Sequence, residues 1–165
     1  MVRCVLCAVN SAYIHKNLAV LKLEKYLSGF DIKVCEFTVN EEYGSVYRAL
    51  LSENADLYCF SAYIWNIEYC LKLCESLKKA LPDALILLGG PEAGMEPSAI
   101  LDKYGFIDYV ISGAGEEPLK SLLDSLENNK EPYTEGIWSR NECFGGYAMA
   151  PIDSPMPYSL EDITN

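Results

Sequence analysis

The apolar positions of this chain come in short runs of two alternating kinds. Val2 to Val9 is almost continuously apolar, the pattern of a strand covered on both faces. Val20, Leu23 and Leu27 then recur at helical spacing, and Gly29 closes that helix. Asp31 to Val39 mixes polar residues with Ile32, Val34, Cys35 and Phe37, as in a strand nearer a sheet edge. Tyr43, Val46, Tyr47, Leu50 and Leu51 stripe a second helix. Leu57 to Phe60 is a third strand, ending at Ser61-Ala62-Tyr63, and Ile67, Cys70, Leu71, Cys74 and Leu77 stripe a third helix that Pro82 stops. Ala84 to Leu88 runs straight into Gly89-Gly90-Pro91-Glu92. Pro97, Ile100, Leu101 and Tyr104 mark a short helix, Ile107 to Ser112 a fifth strand, and Leu119, Leu122, Leu123 and Leu126 a last helix.

Strand and helix thus alternate across residues 1–128. That order predicts an α/β, flavodoxin-like, doubly wound sheet of five parallel strands, order 2-1-3-4-5, with helices on both faces. Residues 129–165 differ in character. Asn128-Asn129-Lys130-Glu131-Pro132 is polar, and Gly136 to Arg140 with Tyr147 to Ala150 predict a small hairpin around Gly145-Gly146. Residues 151–165 hold three prolines and no period, as expected of a linker toward a further domain.

Composition narrows the partners. The 165 residues suffice for one self-sufficient core, and no run of 18 apolar residues is available to span a membrane. A net charge of −11, from 13 basic and 24 acidic residues, repels phosphate backbones and argues against nucleic acid. Seven cysteines without small-scaffold spacing suit a reducing cytoplasm. Cys4-x-x-Cys7 lies within a strand, where an odd offset puts the two on opposite faces, so it grips no metal. Cys70-x-x-x-Cys74 starts like a radical S-adenosylmethionine (SAM) cluster motif but has Leu77 as its third member, so no iron–sulfur cluster is expected here.

In a parallel sheet the loops after strands one, three, four and five share one rim, where ligands bind. Those loops are Asn10 to Asn17, Ser61 to Asn66, Gly89 to Glu92 and Gly113 to Glu117. A phosphoacceptor receiver would need an Asp at the end of strand three and acids after strand one; Ser61 and Asn10 stand there. A flavodoxin would need a hydroxyl-rich loop after strand one, where Ser11 is the only hydroxyl before Tyr13. Dinucleotide binding would need its glycines after strand one, whereas Gly113-x-Gly115 follows strand five.

The four rim stretches together resemble the N-terminal cobalamin (vitamin B12)-binding domains of B12-binding radical SAM proteins. That group includes anaerobic magnesium-protoporphyrin IX monomethyl ester cyclase and radical SAM methyltransferases. Asn10-x-x-Tyr13-Ile14-His15, Ser61-x-Tyr63-Ile64-Trp65-Asn66, Gly89-Gly90-Pro91-Glu92 and Gly113-x-Gly115-Glu116-Glu117 carry the resemblance. The wider cobalamin-binding pattern, D-x-H-x-x-G, then S-x-L, then G-G, maps onto Tyr13-x-His15-x-x-Leu18, Ser61-x-Tyr63 and Gly89-Gly90. Tyr13 stands where that pattern has an acid to orient the histidine, and Leu18 where it has glycine.

The resemblance implies a cobalamin-binding module of a B12-dependent radical SAM enzyme catalysing methyl transfer or oxidative cyclisation. Cobalamin is expected base-off, its tail in a slot between strands one and three beside Ser61, Gly89 and Gly90. A bulky residue at Gly89 or Gly90 is expected to block that slot without breaking the fold. Asn10, Ser11, Tyr13, Ile14 and His15 after strand one, and Ser61, Tyr63 and Trp65 after strand three, are expected at the cofactor. Gly89, Gly90, Pro91 and Glu92, and Gly113, Gly115 and Glu116, complete the set. His15 is expected near the corrin without binding cobalt. SAM, a [4Fe–4S] cluster and the small-molecule substrate are expected in a following radical SAM domain, this chain alone being non-catalytic. The competing reading is a flavodoxin-like electron-transfer or protein-interaction module with another ligand or none.

Overall fold

Strands buried on both faces need helices on both sides, and that is how the alternation resolves. The computed structural model describes residues 1–12, 17–140 and 145–154. Strands β1 (Arg3–Asn10), β2 (Asp31–Thr38), β3 (Leu57–Ser61), β4 (Leu85–Gly89) and β5 (Tyr109–Ile111) pair in parallel, order β2-β1-β3-β4-β5. Strand β2 lies at the edge and is mostly half-buried, matching its mixed pattern. The helices are α1 (Leu18–Tyr26), α2 (Tyr43–Glu53), α3 (Ile67–Ala80), α4 (Pro91–Gly94), α5 (Pro97–Lys103) and α6 (Glu116–Asn128).

Side chains alternate across each strand, so the sheet has two apolar faces. On one, Cys4, Leu6, Leu57, Cys59, Leu87 and Ile111 pack under α1 and α6, through Val20, Leu27, Leu119, Leu122 and Leu123. On the other, Val5, Cys7, Tyr58, Phe60, Ile86 and Leu88 pack under α2, α3 and α5. Cys4 and Cys7 therefore face opposite ways, and Cys70 and Cys74 lie fully buried on the α3 stripe. Among the described residues no cluster of His, Cys, Asp and Glu is placed to hold a metal ion, and no helix is long and apolar enough to cross a membrane.

Three details depart from the pattern. The fifth strand is shorter than Ile107 to Ser112 and begins after Asp108, whose carboxylate accepts from Ile86 N–H (2.8 Å) and Lys78 Nζ (2.9 Å). Helix α6 begins at Glu116, inside the stretch expected as loop. The expected hairpin also takes another form, since one arm joins β5 and the other the residues just after it. A sixth strand, β6 (Ile137–Trp138), pairs antiparallel to β5, with Ile111 opposite Ile137. Ala148 bridges to Gly113, while Arg140 donates to the carbonyls of Leu101 (3.1 Å) and Tyr104 (2.8 Å). Residues 155–165, read as linker, lie outside the described residues.

Candidate ligand-binding site

Strands β1, β3, β4 and β5 end on one rim. On the face covered by α1 and α6 they leave a cavity of about 290 Å³. The register explains its shape. Leu6, Cys59 and Leu87 lie opposite one another across three strands and make one apolar row of floor. Ile111 extends that floor, and Val20, Leu23 and Leu119 form the roof. One pleat nearer the rim, on the same face, Ser61 lies opposite Gly89. A Cβ added at Gly89 would meet nothing within 4 Å, and Ser61 Oγ has no hydrogen-bond partner among the described residues. The floor is therefore roofed and greasy, and the mouth is small and carries a free hydroxyl. The space does not lie between strands one and three as expected: β1 and β3 are hydrogen-bonded neighbours from Cys4 opposite Leu57 to Cys7 opposite Phe60.

The mouth is clasped by charge. Lys22 Nζ on α1 lies 2.7 Å from Glu116 Oε1 in the first turn of α6, and Ser154 Oγ donates to the same oxygen at 3.0 Å. Burial pushes the Glu116 carboxyl up, but bonds from Lys22, its own N–H and Ser154, with the Lys22 charge, outweigh that and hold it below the ordinary value. A carboxylate there also suits the helix N-terminus. One turn along α1, Tyr26 OH donates to Glu117, which pushes the phenol up to about 12. Inside, burial raises the Cys59 thiol well above its usual range, and the contact with Cys4, Sγ to Sγ 3.8 Å, adds to this. Cys59 is a neutral wall group.

The rim loops are held by buried side chains. Asn66, 1% exposed, uses its whole amide: Oδ1 accepts from Tyr63 N–H (2.7 Å), while Nδ2 donates to Val9 O (2.9 Å) and Ser61 O (3.0 Å). This ties the ends of β1 and β3 together and presents Tyr63 with Trp65 stacked on it, centroids 4.5 Å apart. Ile64 and Trp65 stand exposed beside that stack. At the end of β1, Asn10 Nδ2 (3.0 Å) and Asn17 N–H (3.1 Å) both donate to Glu36 on β2, and Asn17 caps α1. One carboxylate thus holds Asn10 and Asn17 together.

Two glycines are required by backbone geometry. Gly90 has φ +93°, and a Cβ there would lie 2.6 Å from Ala62 O, where the β3 and β4 loops exchange hydrogen bonds. The expectation that a bulky residue at Gly90 spares the fold is therefore corrected, and Gly89 alone offers that substitution. Gly113, φ +93°, faces the Ala148 backbone in the same way.

Of the expected residues, Ser61, Tyr63, Gly89, Gly90, Pro91, Gly113, Gly115 and Glu116 come together around the cavity. Asn10 is engaged with Glu36, Trp65 sits outside on the Tyr63 stack, and Glu92 lines a separate pocket with Met95 and Glu96. Ser11, exposed at the end of β1, does not line the cavity. Tyr13, Ile14 and His15 lie outside the described residues. The walls, Leu6, Val20, Leu23, Cys59, Leu87, Ile111 and Leu119, escaped the sequence reading. Their only signal is core periodicity, which is the same for a filled core and for one with an opening.

A largely parallel α/β sheet with an apolar cavity at its carboxyl rim defines a class of ligand-binding domain. The sequence matches the B12-binding domain family over residues 5–123, and the chain belongs to that family. Among curated proteins it is 30% identical over 84 residues to the tRNA-2-methylthio-N(6)-dimethylallyladenosine synthase of Pseudomonas fluorescens (strain Pf0-1). That match takes in 51% of this chain and 19% of the enzyme, so the chain spans about a fifth of the relative's length. Among solved structures it is similar to the radical SAM methyltransferase TsrM of Kitasatospora setae, with tryptophan and a SAM analogue bound (TM-score 0.69, 19% identity, 85% of this chain, 29% of TsrM). It is also similar to the cobalamin-dependent SAM radical enzyme OxsB with aqua-cobalamin and SAM bound (0.68, 16%, 81% and 20%). The REC domain of RcsB from Salmonella enterica serovar Typhimurium shares the fold more loosely (0.53, 19%, 79% and 92%). At these identities the structural likenesses establish the fold.

Proposed function

We propose that the chain binds cobalamin base-off, with the nucleotide tail in the cavity and the corrin over the rim. The observation that carries this reading is the gradient from a small, hydroxyl-bearing mouth at Ser61 and Gly89 to an apolar end at Leu6, Cys59 and Leu87. A cavity of about 290 Å³ is at the lower edge of small-molecule sites. It suits one bicyclic base with part of its ribose and leaves the larger corrin outside. On this reading the unpartnered Ser61 Oγ donates to the tail's free ring nitrogen. Gly89 keeps the space opposite open. Tyr63 and Trp65, with Tyr13 and Ile14, supply flat apolar surface for the corrin, and Gly113, Gly115 and Glu116 border it from the β5 side. Asn10, held by Glu36, stands at the rim end of β1.

Bound cobalamin supplies a cobalt centre suited to methyl transfer or radical cyclisation. No acid stands at position 13 to orient His15, so on this reading His15 is not a cobalt ligand. The relatives are much longer than this chain. The whole protein is read as a cytoplasmic B12-dependent radical SAM enzyme, with SAM, a [4Fe–4S] cluster and the small-molecule substrate held by a following domain.

Hydroxocobalamin tests the binding step. Corrin absorbance with a base-off spectrum should travel with the protein through gel filtration. Elution of free corrin at micromolar protein would overturn the reading.

A further inference from the structure

The inner end of the cavity distinguishes between tails. Corrinoids share one macrocycle and differ in the base that ends the nucleotide: dimethylbenzimidazole in cobalamin, adenine in pseudocobalamin, and no nucleotide in cobinamide. Both bases join the ribose through their five-membered ring, so the six-membered ring leads inward. In dimethylbenzimidazole that ring carries two methyl groups and no heteroatom. In adenine it carries two acceptor nitrogens and an amino group.

The end that would receive this ring is apolar on every side. Its floor is the row Leu6, Cys59 and Leu87, whose strand N–H and C=O groups are committed to the parallel ladder. Its roof is Val20, Leu23 and Leu119. The one side-chain heteroatom in the row, Cys59 Sγ, is turned to Cys4 Sγ 3.8 Å away. The polar side chains, Lys22, Ser61, Tyr63 and Glu116, all stand toward the mouth, and Lys22 and Glu116 are paired with each other. An adenine ring placed here would leave its acceptors and amino group without partners in a site shielded from water.

We propose that this chain selects corrinoids by their tail, accepting benzimidazole-type bases over purine-type ones, and that the Leu6, Cys59, Leu87 row reads the difference. The inference rests on the tail entering this cavity, as proposed above. Apolar pockets reject added polar groups by at most about 100-fold, so the expected preference is roughly 10- to 100-fold in Kd.

Absorbance titrations of the chain with cobalamin, pseudocobalamin and cobinamide, all in the aqua form, test this. Cobalamin should bind tightest, pseudocobalamin 10- to 100-fold weaker, and cobinamide far weaker than cobalamin. Pseudocobalamin equal to cobalamin, with cobinamide weak, would overturn the selectivity and leave the tail placement standing. Cobinamide equal to cobalamin would overturn the tail placement itself. Cys59→Ser puts a hydroxyl into the row at nearly constant volume, and the cobalamin-to-pseudocobalamin ratio should fall severalfold. An unchanged ratio in the folded variant would remove the row from its assigned role.

Discussion

Gly89→Leu separates binding from folding more cleanly than any other change at the rim. Gly89 lies opposite Ser61 in the cavity mouth, and a Cβ there meets no atom within 4 Å. The new side chain projects into the space assigned to the tail, so the fold should lose no more than about 1 kcal/mol. The ligand loses much more. An aromatic ring system buries roughly 150 Å² or more, which at about 25 cal/mol per Å² is about 4 kcal/mol. Allowing for tail-ordering costs that are no longer incurred, we expect at least a 100-fold rise in Kd, or about 3 kcal/mol. Gly90→Leu supplies the contrast: its Cβ would sit 2.6 Å from Ala62 O at φ +93°, so it should lower the melting temperature whether or not cobalamin is present. The assays are a hydroxocobalamin absorbance titration and thermal melting by circular dichroism. Undiminished affinity in folded Gly89→Leu would refute the placement of the tail.

Four further outcomes are expected. Asn66→Ala strands two carbonyls and one N–H at the rim, so denaturant melts should show a loss of about 2–4 kcal/mol, and a loss below 1 kcal/mol would refute the stitching role. The lowered Glu116 carboxyl contributes stability above its unfolded value near 4.5, and that contribution is lost as pH falls through its lower folded value; the melting difference between wild type and Glu116→Gln should therefore be largest near neutral pH and shrink as the solution is acidified below 4.5, and a constant difference would contradict the sign. EPR of the Co(II) form should lack nitrogen superhyperfine splitting and be unchanged by His15→Ala; splitting that the substitution abolishes would make His15 a ligand. Iron and sulfide reconstitution of this chain should give no stoichiometric cluster absorbance, because Cys70 and Cys74 are buried on a helix stripe with Leu77 as third member; a stable [4Fe–4S] signal would contradict this.

Much of this protein is determined by order along the chain. Alternating strand and helix periods, with crossovers confined to one hand, leave few topologies, and β2-β1-β3-β4-β5 is the arrangement seen. The same order dictates that the Ser61, Gly89 and Gly113 loops share a rim, so a ligand crevice was legible there. Polar loop residues were harder to assign, because position on the rim does not say which way a side chain turns. Asn10 turns to Glu36 and Asn66 turns inward as a stitch.

Tertiary structure alone decided three matters. Residues 137–138 pair with β5, and Ala148 attaches just beyond that strand because Gly113, at positive φ, lets the Ala148 backbone close in, a contact made across 35 positions of sequence. Gly89 and Gly90 look identical in sequence, yet one faces open space and the other the Ala62 backbone. The cavity itself depends on register. Leu6, Cys59 and Leu87 read as ordinary core in one dimension, and become the floor of a site only because α1 and α6, clasped by Lys22 and Glu116, leave the rim end of that face unfilled. Periodicity records which side of a strand avoids water, and only packing determines whether the space above that side is filled by the chain or left for a ligand.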